Sequence, residues 1–371
     1  MERAKLGEAL LALLADLVAI PSTYPPGDTA RIARHCAALL SGYEAQVVGK
    51  DNVVAKLGHG SPSIAFNAHA DTVEIGRRAA WHTDPFKATL VDGRVYGLGA
   101  CNCKSSMAVH LWLAREIARR GGPKRGEIVF TFVGDEENLG PGGLAYLRAA
   151  GTVKPDLLIV AAQTRNRLVL EERGVMWVRA TTRGKAAHAG APQAGESAIL
   201  RMQEVISALG KELPVRSSPT GHRTTLNIGC IRGGDNINVV PDQCVIELDR
   251  RILPADDLES AFEEVRRICE KAGASQVELL TGTPGFSAPE NGAGAQAFAQ
   301  AIRAVTGQAP KPLNVVGASD ARYFARDGIE VLVTGPGDGA DSHRPNEFVA
   351  LEEMIDAALI QLHAAERLLG I

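Results

Sequence analysis

The chain has 371 residues, 45% hydrophobic, 22% charged and 5% aromatic, with a formal net charge of -3. That length exceeds what one core comfortably serves, so two domains are expected. The slightly acidic balance lacks the basic footprint of a nucleic-acid or polybasic membrane binder, and no stretch is long and apolar enough to span a bilayer.

In chain order, Leu6, Leu10, Leu13, Leu14 and Leu17 form a helical stripe over about 3–18, interrupted by Glu2, Lys5, Glu8 and Asp16. A secretory signal would keep an unbroken apolar core, so a mature N-terminal helix is expected. The six scattered cysteines fit reduced thiols, so a cytoplasmic protein is expected. Further helical stripes fall at about 28–42 and 104–120, and short β-rich apolar runs at 64–68, 128–133 and 157–160. Strands alternating with helices predict an α/β domain with a mostly parallel central sheet. Chemistry in such sheets collects on loops at the carboxyl ends of the strands.

The pattern changes near Arg173. Alternating strands at about 175–182, 226–231, 243–250 and 277–280, with helices at about 194–211 and 255–272, give the order β-α-β-β-α-β. That is a two-layer α+β unit over 173–284, inserted into a catalytic domain made of 1–172 and 285–371.

Three segments carry chemistry. His69 and Asp71 follow one apolar strand, Glu136 and Glu137 follow another, and His343 lies late in the chain. Clustered histidine and carboxylate side chains are what a metal site requires. The remaining histidines outside His188 have no supporting constellation.

These segments resemble, in order, the M20 metallopeptidase and amidohydrolase family, whose branches include deacetylases, desuccinylases, aminoacylases and carboxypeptidases. The resemblance also takes in Trp81 with Asp84-Pro85-Phe86, and Gly97-Leu98-Gly99 leading to Lys104. In the inserted unit it takes in Gly184-Lys185-Ala186-Ala187-His188 and Gly233-Gly234-Asp235-Asn236-Ile237-Asn238. Asp249-Arg250-Arg251, Ser319-Asp320-Ala321-Arg322 and Gly335-Pro336-Gly337 extend it over nearly the whole chain. Length and the Gly-Leu-Gly-Ala-Cys segment lean toward the deacetylase and desuccinylase branch.

The resemblance implies a zinc-peptidase-like catalytic domain with an inserted dimerisation or lid domain, and a homodimer acting on a small carboxylate-bearing substrate. It implies His69, Glu137 and His343 as metal ligands, with Asn102 as a weak fourth, and Asp71 orienting His69. Glu136 is the implied general base. His188 would polarise the scissile carbonyl from across the dimer, though the same histidine could simply cap its own turn. Arg251, Asn238 and Gly335 are the implied substrate contacts; for Arg251 the alternative is pairing with a nearby acid.

Two ligand positions depart from the family pattern. Asn102 stands where the family has a bridging aspartate, and an amide offers one neutral oxygen where a bridge needs two anionic ones. Counting back from Arg173-Gly174 places Ala162 on a further carboxylate position, with Gln163 there only if the loop is shifted by one residue. The carboxylates left cannot offset two close divalent ions.

Three explanations stay open: one retained ion, a metal-free pocket, or substitutions introduced to trap a substrate. Ser105-Ser106 and the run Cys101-Asn102-Cys103 favour natural divergence. Cys101 or Cys103 could add a thiolate or a nucleophile, against the reading that both point away from Asn102.

The expected function is hydrolysis of the amide of a small N-acyl amino acid or related carboxylate-bearing amide. The expected cofactor is one divalent metal, zinc by preference, with manganese, cobalt or iron as alternatives. The competing reading is a metal-free binding protein, or a diverged enzyme with another reaction on a similar substrate.

Overall fold

The computed structural model describes residues 2–138, 140–315 and 317–371. Contacts divide the chain into two units, Met1–Leu170 with Ala288–Leu313 and Ser319–Ile371, and Glu171–Ser287 with Asn314–Ala318.

In the larger unit the apolar run ending at His69 forms the strand Ser63–His69, buried at every residue. A strand of that kind needs partners on both edges and cover on both faces. It lies inside a six-stranded sheet in the order Glu330–Val333, Leu157–Val160, Ser63–His69, Gly126–Val133, Asn52–His59 and Glu44–Val48. The first four strands are parallel and the last two antiparallel. The fold is α/β, with its parallel strands at the heart of a mixed sheet.

Helix Arg3–Val18 buries Leu6, Leu10, Leu14 and Leu17, the stripe visible in the sequence. Helix Lys104–Arg119 is buried almost throughout, packed among helices Arg3–Val18 and Leu351–Leu369 and the strand Ser63–His69. Its His110 lies in the core, edge-on to Phe66 at 5.5 Å between ring centres, and burial pushes its imidazole down to about 3. This histidine is a neutral packing residue. The helix expected over 28–42 is shorter, Ala30–Leu39. Asp28 accepts the Ala30 amide hydrogen at its entrance, and Gly42, at φ 92°, turns the chain beyond its exit.

The smaller unit has a four-stranded antiparallel sheet in the order Thr225–Gly233, Gln243–Ile252, Gly174–Arg183 and Gln276–Thr283. Alternation divides its faces. Met176, Val178, Ala180, Cys244, Ile246 and Leu248 pack with Met202 and Val205 of helix Ala198–Glu212 and Val265 and Ile268 of helix Leu258–Lys271. On the other face Arg179 pairs with Glu247 at 2.7 Å, and Trp177 Nε1 donates to Asp249 at 2.8 Å. Ser197 and Asp257 cap the two helices by accepting the Leu200 and Ser260 amide hydrogens. The Ser197 cap, after a short 3-10 turn at Pro192–Ala194, is why the first helix starts later than the expected 194.

Among the described residues no helix is long and apolar enough to cross a membrane.

Candidate active site

Parallel pairing brings the chemistry together. His69 is in register with Val133, and Ala70 N–H still donates to Val133 O at 2.7 Å. The chain after Val133 therefore leaves the sheet beside the chain after His69. Asp135 makes the turn, at φ 72°, and its Oδ2 accepts the Gly142 amide hydrogen at 2.7 Å. Left-handed backbone at a non-glycine residue costs energy and concentrates at functional loops. Glu136 and Glu137 follow directly. Asn67 pairs with Val160 on the other side, so Gln163 comes off the adjacent strand end.

His69 is buried, with Nδ1 donating to the carbonyl oxygen of Asp71 at 3.0 Å and Asp71 Oδ1 at 3.5 Å. Asp71 Oδ2 accepts the Glu137 amide hydrogen at 2.9 Å, so this carboxylate orients both the histidine and the acidic loop. Burial opposes a proton on His69, but Cys103, Glu136 and Asp71 outweigh it and hold the ring well above its ordinary value.

Asn102 sits at the centre. Its Oδ1 is 2.9 Å from His69 Nε2, its Nδ2 donates to Glu137 Oε1 at 2.7 Å, and its Nδ2 is 2.9 Å from His343 Nε2. His343 Nε2 is in turn 3.0 Å from Glu137 Oε1. Gln163 Nε2 donates to Asn102 Oδ1. The side chain that reaches the centre from this loop is thus Gln163, and the count that put Ala162 there is corrected by one residue. Glu347 Oε1 accepts the backbone N–H groups of Cys101 and Asn102 at 3.0 and 3.3 Å, fixing the loop from beneath.

His343 has left-handed backbone, φ 60°, and a half-exposed side chain. Its contact with Glu137 raises its pKa above the ordinary value.

Glu136 Oε2 is 3.9 Å from His69 Nε2, and Glu136 Oε1 is 3.7 Å from Arg322 Nη1. Burial pushes the Glu136 carboxyl up to about 8; His69 and Arg322 pull against this, while Asp320 and Glu137 add to it. A carboxyl poised near neutrality suits proton transfer. Behind it Arg322 also faces Asp320 at 3.7 Å, and Asn67 Nδ2 donates to Asp320 at 3.3 Å. Arg322 and Asp320, noted above only as part of a longer match, form the buried charged wall of the site.

His69, Glu136 and Glu137 offer ligand atoms within 4.8 Å of one another. The cysteines do not join them. Burial pushes the Cys101 thiol up to about 12 and raises that of Cys103 too, the opposite of what a free thiolate nucleophile needs. Cys101 Sγ donates to the Asp338 carbonyl at 3.3 Å.

Gly335 is committed to packing. Its N–H donates to Thr164 Oγ1 at 3.1 Å, and an added Cβ would stand 2.5 Å from Ala162 O. In the smaller unit Ala189 N–H donates to Asn238 O at 2.9 Å, which sets the exposed His188 and Asn238 close together. His188 Nδ1 accepts the Gly190 amide hydrogen at 3.0 Å, so it does cap its own turn. Arg251 makes a two-pronged pair with Asp249, at 2.8 and 3.1 Å.

Histidine and carboxylates gathered at the carboxyl ends of the parallel strands of a mixed α/β sheet define a hydrolase scaffold of the zinc-peptidase type. The family model for peptidase family M20/M25/M40 matches residues 65–367, and the chain belongs to that family. It is similar to a succinyl-diaminopimelate desuccinylase of Rhodospirillum centenum, 29% identical and covering 96% of each chain. It is also similar to an acetylornithine deacetylase of Myxococcus xanthus, 29% identical over 87% of this chain and 85% of the other. Among solved structures, an M20 family metallo-carboxypeptidase from Sulfolobus solfataricus superposes with a TM-score of 0.81 at 17% identity, covering 97% of this chain and 98% of that one.

Proposed function

We propose that this protein hydrolyses the amide bond of a small N-acyl amino acid or related carboxylate-bearing amide, using a single divalent ion, zinc by preference. The observation that carries this reading is the placement of Glu136, a largely buried carboxyl 3.9 Å from His69 Nε2 in a group with Glu137 whose ligand atoms lie within 4.8 Å of one another. A binding protein has no use for such a base. The similarity to desuccinylases and a deacetylase supports the choice of bond.

The residues fit one ion better than two. Glu137 Oε1, His343 Nε2 and the end of the Asn102 amide are mutually 2.7–3.0 Å apart. Between His69 and His343, however, only a neutral amide is available as a bridge. When bound, the ion supplies a Lewis acid that polarises oxygen and lowers the pKa of water. Glu136 accepts the water's proton and returns it to the leaving amine. Arg322 and His69 hold Glu136 from two sides. His188, reaching across the dimer, is the donor to the carbonyl oxygen, and Asn238 a contact for the substrate carboxylate. Arg251 is the weaker substrate candidate, because Asp249 already occupies its guanidinium. The larger unit is read as the catalytic domain and the smaller as a dimerisation or lid domain of a homodimer.

The test is amine release from a panel of N-succinyl and N-acetyl amino acids by zinc-loaded protein. Turnover that disappears in Glu136→Gln supports the proposal. Tight binding of the same compounds with no turnover favours the alternative, a binding protein, to which the fully hydrogen-bonded Asn102 amide lends support.

A further inference from the structure

We propose that the larger unit carries, apart from its catalytic centre, a binding cleft for a free amino acid with an apolar side chain, its carboxylate held by Arg167 and Lys311 and its ammonium group by Glu353. The proposal does not depend on the hydrolase reading above.

The cleft measures about 440 Å³ and is lined only by residues of the larger unit, none of them among the catalytic candidates. That volume lies within the range of small-molecule sites, about 300–1,000 Å³. Its walls are the turn at 164–167, the end of helix Ala293–Thr306 with the loop after it, the first turns of helix Leu351–Leu369, and Arg3.

The lining carries charges of both signs, and most are already matched. Arg3 pairs with Glu352 at 2.6 Å and Asp356 at 2.7 Å, and Arg165 with Asp338 at 2.5 Å. Arg167 and Lys311 have no ion pair among the described residues. Glu353 Oε2 accepts the Gly337 amide hydrogen at 2.8 Å, while its Oε1 has no hydrogen bond among the described residues. Two cations and one carboxylate oxygen are left over. Glu353 repels a simple anion and the two bases repel a simple cation, whereas a molecule bearing both charges meets each with its opposite. The two oxygens of one carboxylate can accept a charge-assisted hydrogen bond from each base. Much of the remaining wall is apolar, from Ile302, Val305, Ala309 and Pro310, and shelters an apolar side chain from water.

The turn that presents Arg167 is held against its own preference. Arg165 and Asn166 both have left-handed backbone, φ 52° and 56°, and Arg167 N–H donates to Thr164 O at 3.1 Å. Such a turn favours asparagine and glycine; an arginine there costs energy, and strain of this kind concentrates at ligand clamps. Asn166 Nδ2 donates to Glu353 O at 2.7 Å, and Thr164 Oγ1 to Arg167 O at 2.7 Å. The Asn166 bond ties the turn to the helix that carries Glu353, so the groups for the two ends of the ligand sit on one braced frame.

The experiment titrates L-phenylalanine calorimetrically into zinc-loaded protein, with an unfolding curve for each variant. Arg167→Ala, Lys311→Ala and Glu353→Gln should each weaken binding about tenfold or more, the usual weight of a hydrogen bond to a charged group. Arg167 and Lys311 are exposed, and glutamine at 353 keeps an acceptor for the Gly337 amide, so the fold should survive each change. His343→Ala, which alters the catalytic centre, should bind as wild type does. 3-Phenylpropionate and phenethylamine, each lacking one charge, and glycine, lacking the side chain, should bind more weakly by about tenfold or more. No binding by wild type at millimolar concentration, binding indifferent to the three cleft variants, binding lost in folded His343→Ala, or phenylpropionate binding as tightly as phenylalanine would each overturn the proposal. Binding that the cleft variants weaken, in a protein that hydrolyses no acyl amino acid, would support the cleft and sink the hydrolase reading alone.

Discussion

Arg322 and Glu136 face each other at 3.7 Å between Nη1 and Oε1, with only 3% and 14% of their side chains exposed. Asp320 lies as close to the same guanidinium on its other side. The arginine thus compensates two buried acids. Removing one partner from such a group leaves charge uncompensated, which typically costs about 3–5 kcal/mol. Arg322→Gln is expected to lower the unfolding free energy, read from urea denaturation, by an amount of that order and to reduce kcat more than it raises KM, because Glu136 loses a positioning contact. A variant with wild-type stability and turnover would show that Glu136 is held by other groups.

If Glu136 takes the proton from water, Glu136→Gln keeps the shape and the contact with Arg322 but removes the base. General-base catalysis contributes about 10²–10⁴-fold, so kcat should fall by that factor while substrate affinity stays nearly unchanged. Single-turnover kinetics with separate binding titration checks this. An equal loss in binding would mean that Glu136 holds substrate instead.

Asn102 withholds the anionic bridge that two close ions need, so restoring the carboxylates should restore the second ion. Asn102→Asp supplies a bridge with two anionic oxygens, and Gln163→Glu adds a carboxylate from the side chain that already touches Asn102. The double variant is expected to bind two equivalents of zinc where wild type binds one, measured by elemental mass spectrometry. Gln163 is the position to change, since it is its side chain that reaches the centre. One equivalent in the double variant would mean that the second site lacks more than charge.

Much of the site was legible because its residues follow apolar strands directly. His69, Asp71, Glu136 and Glu137 lie within four residues of a strand end, so finding the short continuous apolar runs is enough to gather them. Gln163 was missed by one residue: its strand, Leu157–Val160, ends in a loop whose register is set by hydrogen bonds of Thr164 and Asn166 to Gly335. No local pattern carries that information. Arg322 and Asp320 were visible as letters, but their meaning depends on Asn67 and Glu136, which are far away in sequence. Arg251 is the converse case. On a strand, residues two apart share a face, so its pairing with Asp249 could have been read directly.

Gly335 shows how tightly the surrounding loops close. An added Cβ would stand 2.5 Å from Ala162 O and 3.0 Å from Ser106 Oγ. Overpacking of this kind typically costs about 1–3 kcal/mol. Gly335→Ala should lower thermal stability accordingly and weaken metal retention, since the same loop carries Gln163. Unchanged stability would mean that the Ala162 loop yields freely.

The thiols supply a test by chemical labelling. Burial pushes the Cys36 and Cys101 thiols up to about 12 and that of Cys269 up to about 11, and raises that of Cys103. A raised thiol pKa means less thiolate at any lower pH, so reactivity should stay suppressed through pH 8 and rise only as the pH approaches those values. Cys230 alone is partly exposed, the other five cysteines being buried. Native protein at pH 8 should therefore react with a thiol-disulfide reagent at one site, and unfolded protein at all six. Cys101→Ser should leave turnover within a few-fold of wild type. Rapid native labelling of Cys101 or Cys103, mapped by peptide mass spectrometry, would reopen a thiolate role at the centre.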